Sequence, residues 1–134
     1  MGVGAIVLEG DRVLLIERGR EPQKGLWSIP GGGLELGETL KEGVRREAAE
    51  ETGLDVRVCE LVELLERIHK DEGGGVRYHY VLADFRCEVI GGELRAGDDA
   101  AAARWVDRRE LRQLEMTAGT AEVIEKAFRI RDES

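Results

Sequence analysis

The chain has 134 residues, of which 42% are hydrophobic and 36% charged, with a formal net charge of −8. A chain of this length makes one domain and can bury its own core. The acid excess excludes binding to a nucleic-acid backbone as the main task, because that task calls for a basic face.

In chain order, residues 4–8 and 12–17 read as two strands joined by a Gly10-Asp11 turn, a common hairpin signal. The apolar run at 3–8 is short and has no basic stretch ahead of it, so it is not expected to be an export signal. Arg18, Arg20 and Lys24 follow, and they are the best local cations for an anionic ligand. They would equally serve surface solubility. Next comes Trp27-Ser28-Ile29-Pro30-Gly31-Gly32-Gly33. A proline followed by three glycines is expected to be a loop rather than a regular element. Its backbone N–H groups can approach phosphate oxygens closely.

Residues 39–52 read as a helix that lacks proline and contains one glycine, Gly43. Leu40, Val44 and Ala48 repeat at helical period. Gly53 stands where a helix ends in the left-handed conformation that suits a residue without Cβ. Residues 56–68 form a bent strand region, and Gly73-Gly74-Gly75 a loop tip. Val81, Ala83, Phe85, Cys87 and Val89 then alternate with Leu82, Asp84, Arg86 and Glu88, which predicts a strand with one buried face. Residues 103–106 form a short strand and 107–114 one or two helical turns. Residues 118–130 form a closing amphipathic helix whose inward face is Ala121, Ile124, Ala127 and Phe128. The last four residues are expected to fray. No stretch approaches the roughly 20 apolar residues of a membrane helix. Cys59 and Cys87 lie in strand segments without C-x-x-C spacing, so they are expected to be buried, reduced thiols in a cytoplasmic protein. Strands interrupted by one helix and closed by another make an α/β fold, with a mixed sheet between helices.

Glu47, Glu50 and Glu51 sit at i, i+3 and i+4 of the first helix, so the three carboxylates share one face. Like charges at that spacing repel, and hard oxygen donors suit Mg²⁺, with Mn²⁺ as an equivalent. Arg46 reaches Glu50 at i+4 and can orient it. Glu38 precedes the helix and can pair with an arginine or approach the positive end of the helix dipole. Such partners fix ligands rather than bind the metal. The same glutamates would also suit a solvated helix face. A pyrophosphate entering this acidic cluster needs metal ions to invert the local field.

From Gly32 to Leu54 the residues follow G-x5-E-x7-R-E-U-x-E-E-x-G-U, where U is apolar. The matching positions are Gly32, Glu38, Arg46, Glu47, Ala48, Glu50, Glu51, Gly53 and Leu54. This pattern resembles the Nudix box, the signature of hydrolases that cleave nucleoside diphosphates linked to another group. The resemblance implies an α/β/α sandwich with the box forming a loop–helix–loop beside the sheet. It implies water attack on phosphorus, with Glu47, Glu50 and Glu51 as metal ligands and Arg18, Gly31, Gly32 and Arg46 near the substrate. The general base is a box glutamate, matching Glu47 or Glu50, or an acid on a later loop. Asp98 and Asp99 lie in such a loop, and Asp99 is the favoured residue there. A polar turn would use the same two residues.

The segments around Leu14-Leu15 and Arg18, and from Gly25 to Pro30, look like the ADP-ribose pyrophosphatase group. Positions 69–72 are His69, Lys70, Asp71 and Glu72, which lack both the proline of that group and the tyrosine of the dinucleoside polyphosphate enzymes. The MutT group has a lysine where Gly33 stands. Tyr78, His79 and Tyr80 would stack on a base or pack in the sheet. The expected activity is therefore cleavage of a nucleoside diphosphate derivative such as ADP-ribose. The alternatives are a nucleoside triphosphate pyrophosphohydrolase and a nucleotide sensor without turnover. The expected partner is a small nucleotide, with neither nucleic acid nor membrane. A homodimer is compatible with the resemblance, but no interface is legible in the sequence.

Overall fold

A computed structural model describes residues 1–21, 23–97 and 99–134, and gives the backbone alone for His69 and Arg77. The central strand is β1 (Gly2–Glu9), buried along its length except at Glu9. Alternate residues of a strand face opposite sides, and β1 uses both. Val3, Ala5 and Val7 join one core cluster, while Ile6 and Leu8 join another. Strand β2 (Arg12–Arg18) divides likewise, sending Leu14 to the first cluster and Val13 and Leu15 to the second.

Two helices cover these faces. Helix α1 (Leu40–Thr52) places Val44 and Ala48 in the first cluster, and α2 (Thr120–Asp132) places Val123, Ile124, Ala127 and Phe128 in the second. The result is an α/β/α sandwich. Its seven strands are completed by β3 (Trp27–Ser28), β4 (Gly31–Gly33), β5 (Leu54–Lys70), β6 (Val76–Gly92) and β7 (Ala100–Asp107). Strands β1 and β6 run parallel, from Gly2 opposite Leu82 to Val7 opposite Cys87. The other pairings are antiparallel, so the sheet is mixed. Among the described residues no helix is long and apolar enough to cross a membrane.

Several sequence expectations change. Gly31–Gly33 is a strand and not a loop, with Gly2 opposite Gly33, Val3 opposite Gly32 and Gly4 opposite Gly31. Glycine has no strand propensity of its own, and here it allows close approach: a Cβ on Gly31 would lie 2.4 Å from the Val3 carbonyl oxygen. Strand β6 buries Asp84 and Arg86 as well as the expected Ala83, Phe85 and Cys87, because it is covered on both faces. Val123 rather than Ala121 is buried on α2. The helix runs through Asp132, and Arg131 covers the Phe128 ring instead of fraying. Residues 108–113 form a 3-10 helix. Both cysteines are free thiols, but only Cys87 is buried and Cys59 is half-buried.

Candidate active site

Helix α1 starts in a capping box. Thr39 accepts from the Glu42 N–H at 3.1 Å, and Glu42 accepts from the Thr39 N–H at 2.8 Å. The T-x-x-E spacing was present in the sequence and would have set this start. The helix ends at Gly53, whose φ of 75° is left-handed. With both ends fixed, Glu47, Glu50 and Glu51 are presented along the edge of β4.

Strand β4 and the helix meet with little room. A Cβ on Gly32 would lie 2.6 Å from a Glu47 carboxylate oxygen. The Gly31 N–H donates to Glu51 Oε1 at 3.1 Å. That donor therefore supports a carboxylate in this structure, where the sequence suggested a phosphate contact. Burial raises the Glu51 pKa to about 8, helped by its hydrogen bond with Glu47 and opposed by the Gly31 N–H.

Arg46 lies behind these acids. Its Nε and Nη2 fork onto Glu38 at 2.7 and 2.9 Å. Its Nη1 reaches Glu47 at 2.8 Å and Glu50 at 3.3 Å, and Nη2 also donates to the Gly33 carbonyl at 2.9 Å. These bonds occupy the guanidinium, and Arg46 does not line the cleft. In this placement Arg46 bonds carboxylates, as its i+4 reach to Glu50 led one to expect. The Arg46 fork holds the Glu38 carboxyl below its usual range.

A cleft of about 430 Å³ opens beside β4. Glu47, Glu50, Glu51, Asp99, Arg18 and Arg20 line it together with the β4 glycines. Lys24 is exposed and outside it. Arg20 Nε stands 3.1 Å from Asp99 Oδ1, and the Gly19 N–H donates to the Asp99 carbonyl at 3.0 Å. Gly97 is fixed to α1, its N–H donating to the Glu51 carbonyl at 2.9 Å. A Cβ on Gly97 would fall 1.7 Å from the Glu50 carbonyl oxygen. Neither the Arg20–Asp99 pair nor the Gly97 contact was legible from spacing. Glu21 also lines the cleft without having been singled out. Asp98, considered with Asp99 from the sequence, lies outside the described residues.

Among the described residues no three acidic, His or Cys side chains are already gathered into a metal-binding cluster. Glu47 and Glu51 adjoin, whereas the half-exposed Glu50 carboxylate faces Arg46. The donors nevertheless fit a hard divalent cation. They are all oxygen, and the burial that raises the Glu51 pKa disfavours its lone negative charge, which a cation beside it would balance.

The family model described as NUDIX domain matches residues 1–127. The ADP-ribose pyrophosphatase of Methanocaldococcus jannaschii is 40% identical over 114 residues, covering 85% of this chain and 65% of its own length. The chain thus spans just under two-thirds of that relative. The putative 8-oxo-dGTP diphosphatase 2 of Mycobacterium tuberculosis is 33% identical, over 84% of this chain and 77% of its own. The crystal structure of a MutT protein from Bacillus halodurans superposes with a TM-score of 0.79 at 31% identity, covering 92% of this chain and 78% of that one.

Proposed function

The chain belongs to the Nudix family, and from that premise we propose that it hydrolyses the diphosphate linkage of a nucleotide derivative, with ADP-ribose or a similar nucleotide sugar as substrate. The observation that carries this reading is one cleft holding Glu47, Glu50 and Glu51 together with Arg18 and Arg20. Acids alone would repel a diphosphate, and arginines alone would bind it without activating water. The name of the Methanocaldococcus relative favours ADP-ribose.

Glu47 and Glu51, with Glu50 on the same helix face, would hold Mg²⁺ or Mn²⁺. The ion would supply charge neutralisation at the phosphoryl oxygens and a more acidic attacking water. Arg18 and Arg20 would bind and orient phosphate oxygens through guanidinium N–H donors. Water attacks one phosphorus, the bridging P–O bond breaks, and Glu50 or Asp99 accepts the water proton. Arg46 holds the carboxylates in place during this step. Gly32 leaves the room that the Glu47 carboxylate occupies, and Gly31 holds Glu51 through its N–H.

A second reading, hydrolysis of a nucleoside triphosphate to the monophosphate and pyrophosphate, is favoured by the Mycobacterium relative's name. Product analysis separates the two. Purified protein with Mg²⁺ or Mn²⁺ should convert ADP-ribose to AMP and a sugar phosphate, and Glu50→Gln or Glu51→Gln should lower turnover by roughly tenfold or more. Pyrophosphate release from triphosphates with ADP-ribose untouched would select the second reading. Nucleotide binding without turnover of any substrate would make the protein a sensor.

A further inference from the structure

Helix α1 carries two of its acids at the unfavourable end. Glu50 and Glu51 lie in its last turn, which holds no basic residue. The C-terminus is the negative end of a helix dipole, so carboxylates there are disfavoured. The last four carbonyls of a helix also lack partners within it. A turn of this kind frays unless its backbone is held from outside.

The chain that follows β6 holds it. The Arg95 N–H donates to the Thr52 carbonyl at 2.9 Å, and the Gly97 N–H donates to the Glu51 carbonyl at 2.9 Å. The same stretch closes on the glycine that ends the helix: a Cβ on Gly53 would lie 2.3 Å from the Glu93 carbonyl oxygen. Residues 93, 95 and 97, spaced by two, thus all meet the end of α1. Gly97 makes the tightest contact. A Cβ on it would fall 1.7 Å from the Glu50 carbonyl oxygen, 2.8 Å from the Glu50 carbonyl carbon and 3.0 Å from the Glu51 Cα. These are backbone atoms, which cannot swing aside as a flexible side chain does.

We propose that Gly97 is a positioning residue for the metal site. By packing on the backbone of Glu50 and Glu51 it keeps the last turn of α1 wound, and so fixes where those two carboxylates stand. The proposal rests on the reading above that Glu47, Glu50 and Glu51 hold the divalent ion. Gly97 acts through the two glutamates and needs no contact with substrate. Linkage then runs both ways. An ion that binds only the wound turn must tighten the contacts of Arg95 and Gly97, and a strained contact must weaken the ion. A glycine that served only the stability of the fold would show neither effect.

The test joins Mn²⁺ binding, read by electron paramagnetic resonance without nucleotide, to amide hydrogen exchange in the whole chain. Gly97→Ala should weaken Mn²⁺ binding by roughly 10–100-fold while circular dichroism stays that of the wild type. Its kcat on ADP-ribose should fall with KM little changed. Gly91→Ala, where a Cβ meets only Asp55 Cβ at 3.9 Å, should bind Mn²⁺ as the wild type does. The exchange measurement needs no variant. Residues 93–96 are exposed, so their amides report local opening. With Mg²⁺ at about a hundred times its Kd, exchange at Arg95 and Gly97 should slow by roughly tenfold or more. The Gly74 N–H, bonded to the Asp71 carbonyl at a loop tip, should not change. Equal Mn²⁺ affinity in Gly97→Ala and wild type overturns the proposal. So does exchange at both amides that ignores Mg²⁺ in a wild type that binds it. If Gly97→Ala does not fold, the exchange measurement decides alone. A wild type that binds no divalent ion overturns the proposal together with the metal-site reading beneath it, which separates the two failures.

Discussion

Gly32 and Glu47 stand so close that a single methyl group on the glycine would lie 2.6 Å from the carboxylate. Gly32→Ala is therefore expected to displace Glu47 without unfolding the sheet. The activity proposed above should fall by roughly a hundredfold, since misplacement by about 1 Å at a reacting centre costs that much. The concentration of Mg²⁺ giving half-maximal rate should rise. Gly91→Ala is the control, because a Cβ there meets only Asp55 Cβ at 3.9 Å and the residue lies outside the cleft. It should keep close to full activity in the same steady-state assay.

Arg46 is about a fifth exposed and joins Glu38, Glu47, Glu50 and the Gly33 carbonyl. Lysine keeps the charge but loses the planar fork. Arg46→Lys should weaken metal binding and turnover by roughly 10–100-fold. The urea midpoint should fall as well, because Glu38 and Glu47 lose charge-assisted bonds. Equal stability and equal activity in the lysine variant would show that the network is dispensable.

The raised pKa of Glu51 gives the metal-free protein a pH dependence. Its unfolded form ionises near 4.5, while in the fold it keeps its proton to about 8. In that window the native state binds more protons than the unfolded state, so stability falls as pH rises. A divalent cation replaces the proton. Melting temperature should therefore rise more on adding Mg²⁺ at pH 8 than at pH 6. Glu51→Gln should flatten both the pH slope and the Mg²⁺ response. Thermal melts with and without chelator measure this directly.

Asp84 carries a similar effect away from the cleft. Burial raises its pKa to about 6, while Arg67 opposes the shift and Glu63 adds to it. Between the usual aspartate value and about 6, the folded chain again holds the extra proton. Asp84 therefore removes stability as pH climbs through that range, and the penalty is complete above it. Asp84→Asn should stabilise the protein at pH 7.5 by about 1–3 kcal/mol and have little effect at pH 4. Denaturant midpoints at the two pH values check the sign.

Helix α1 and its acids were legible because a period of 3.6, a terminal glycine and a fixed spacing are local signals. The two-sided sandwich was legible from the order of strands and helices, from the apolar stripe of α2 and from the family resemblance. Strand β4 was not, because Gly31, Gly32 and Gly33 have no propensity of their own and are held extended by pairing with Gly2, Val3 and Gly4. Asp84 and Arg86 misled for a related reason. Alternation predicts which residues share a face, but not whether something covers the second face. The role of Arg46 was half visible. Its reach to Glu50 follows from helix spacing, and a pairing of Glu38 with a box arginine was expected, while the two-point fork of Nε and Nη2 on Glu38 depends on how the preceding loop folds back.

Gly97 makes the cleft asymmetric. Its N–H bonds to α1, and it packs on the Glu50 carbonyl with no space for a side chain. Gly97 is thereby welded to the helix that carries the glutamates. Gly19 and Arg20 meet Asp99 through a backbone hydrogen bond and an exposed ion pair. One flank of the cleft is therefore set by close backbone packing, and the facing flank by contacts that water and salt can reach.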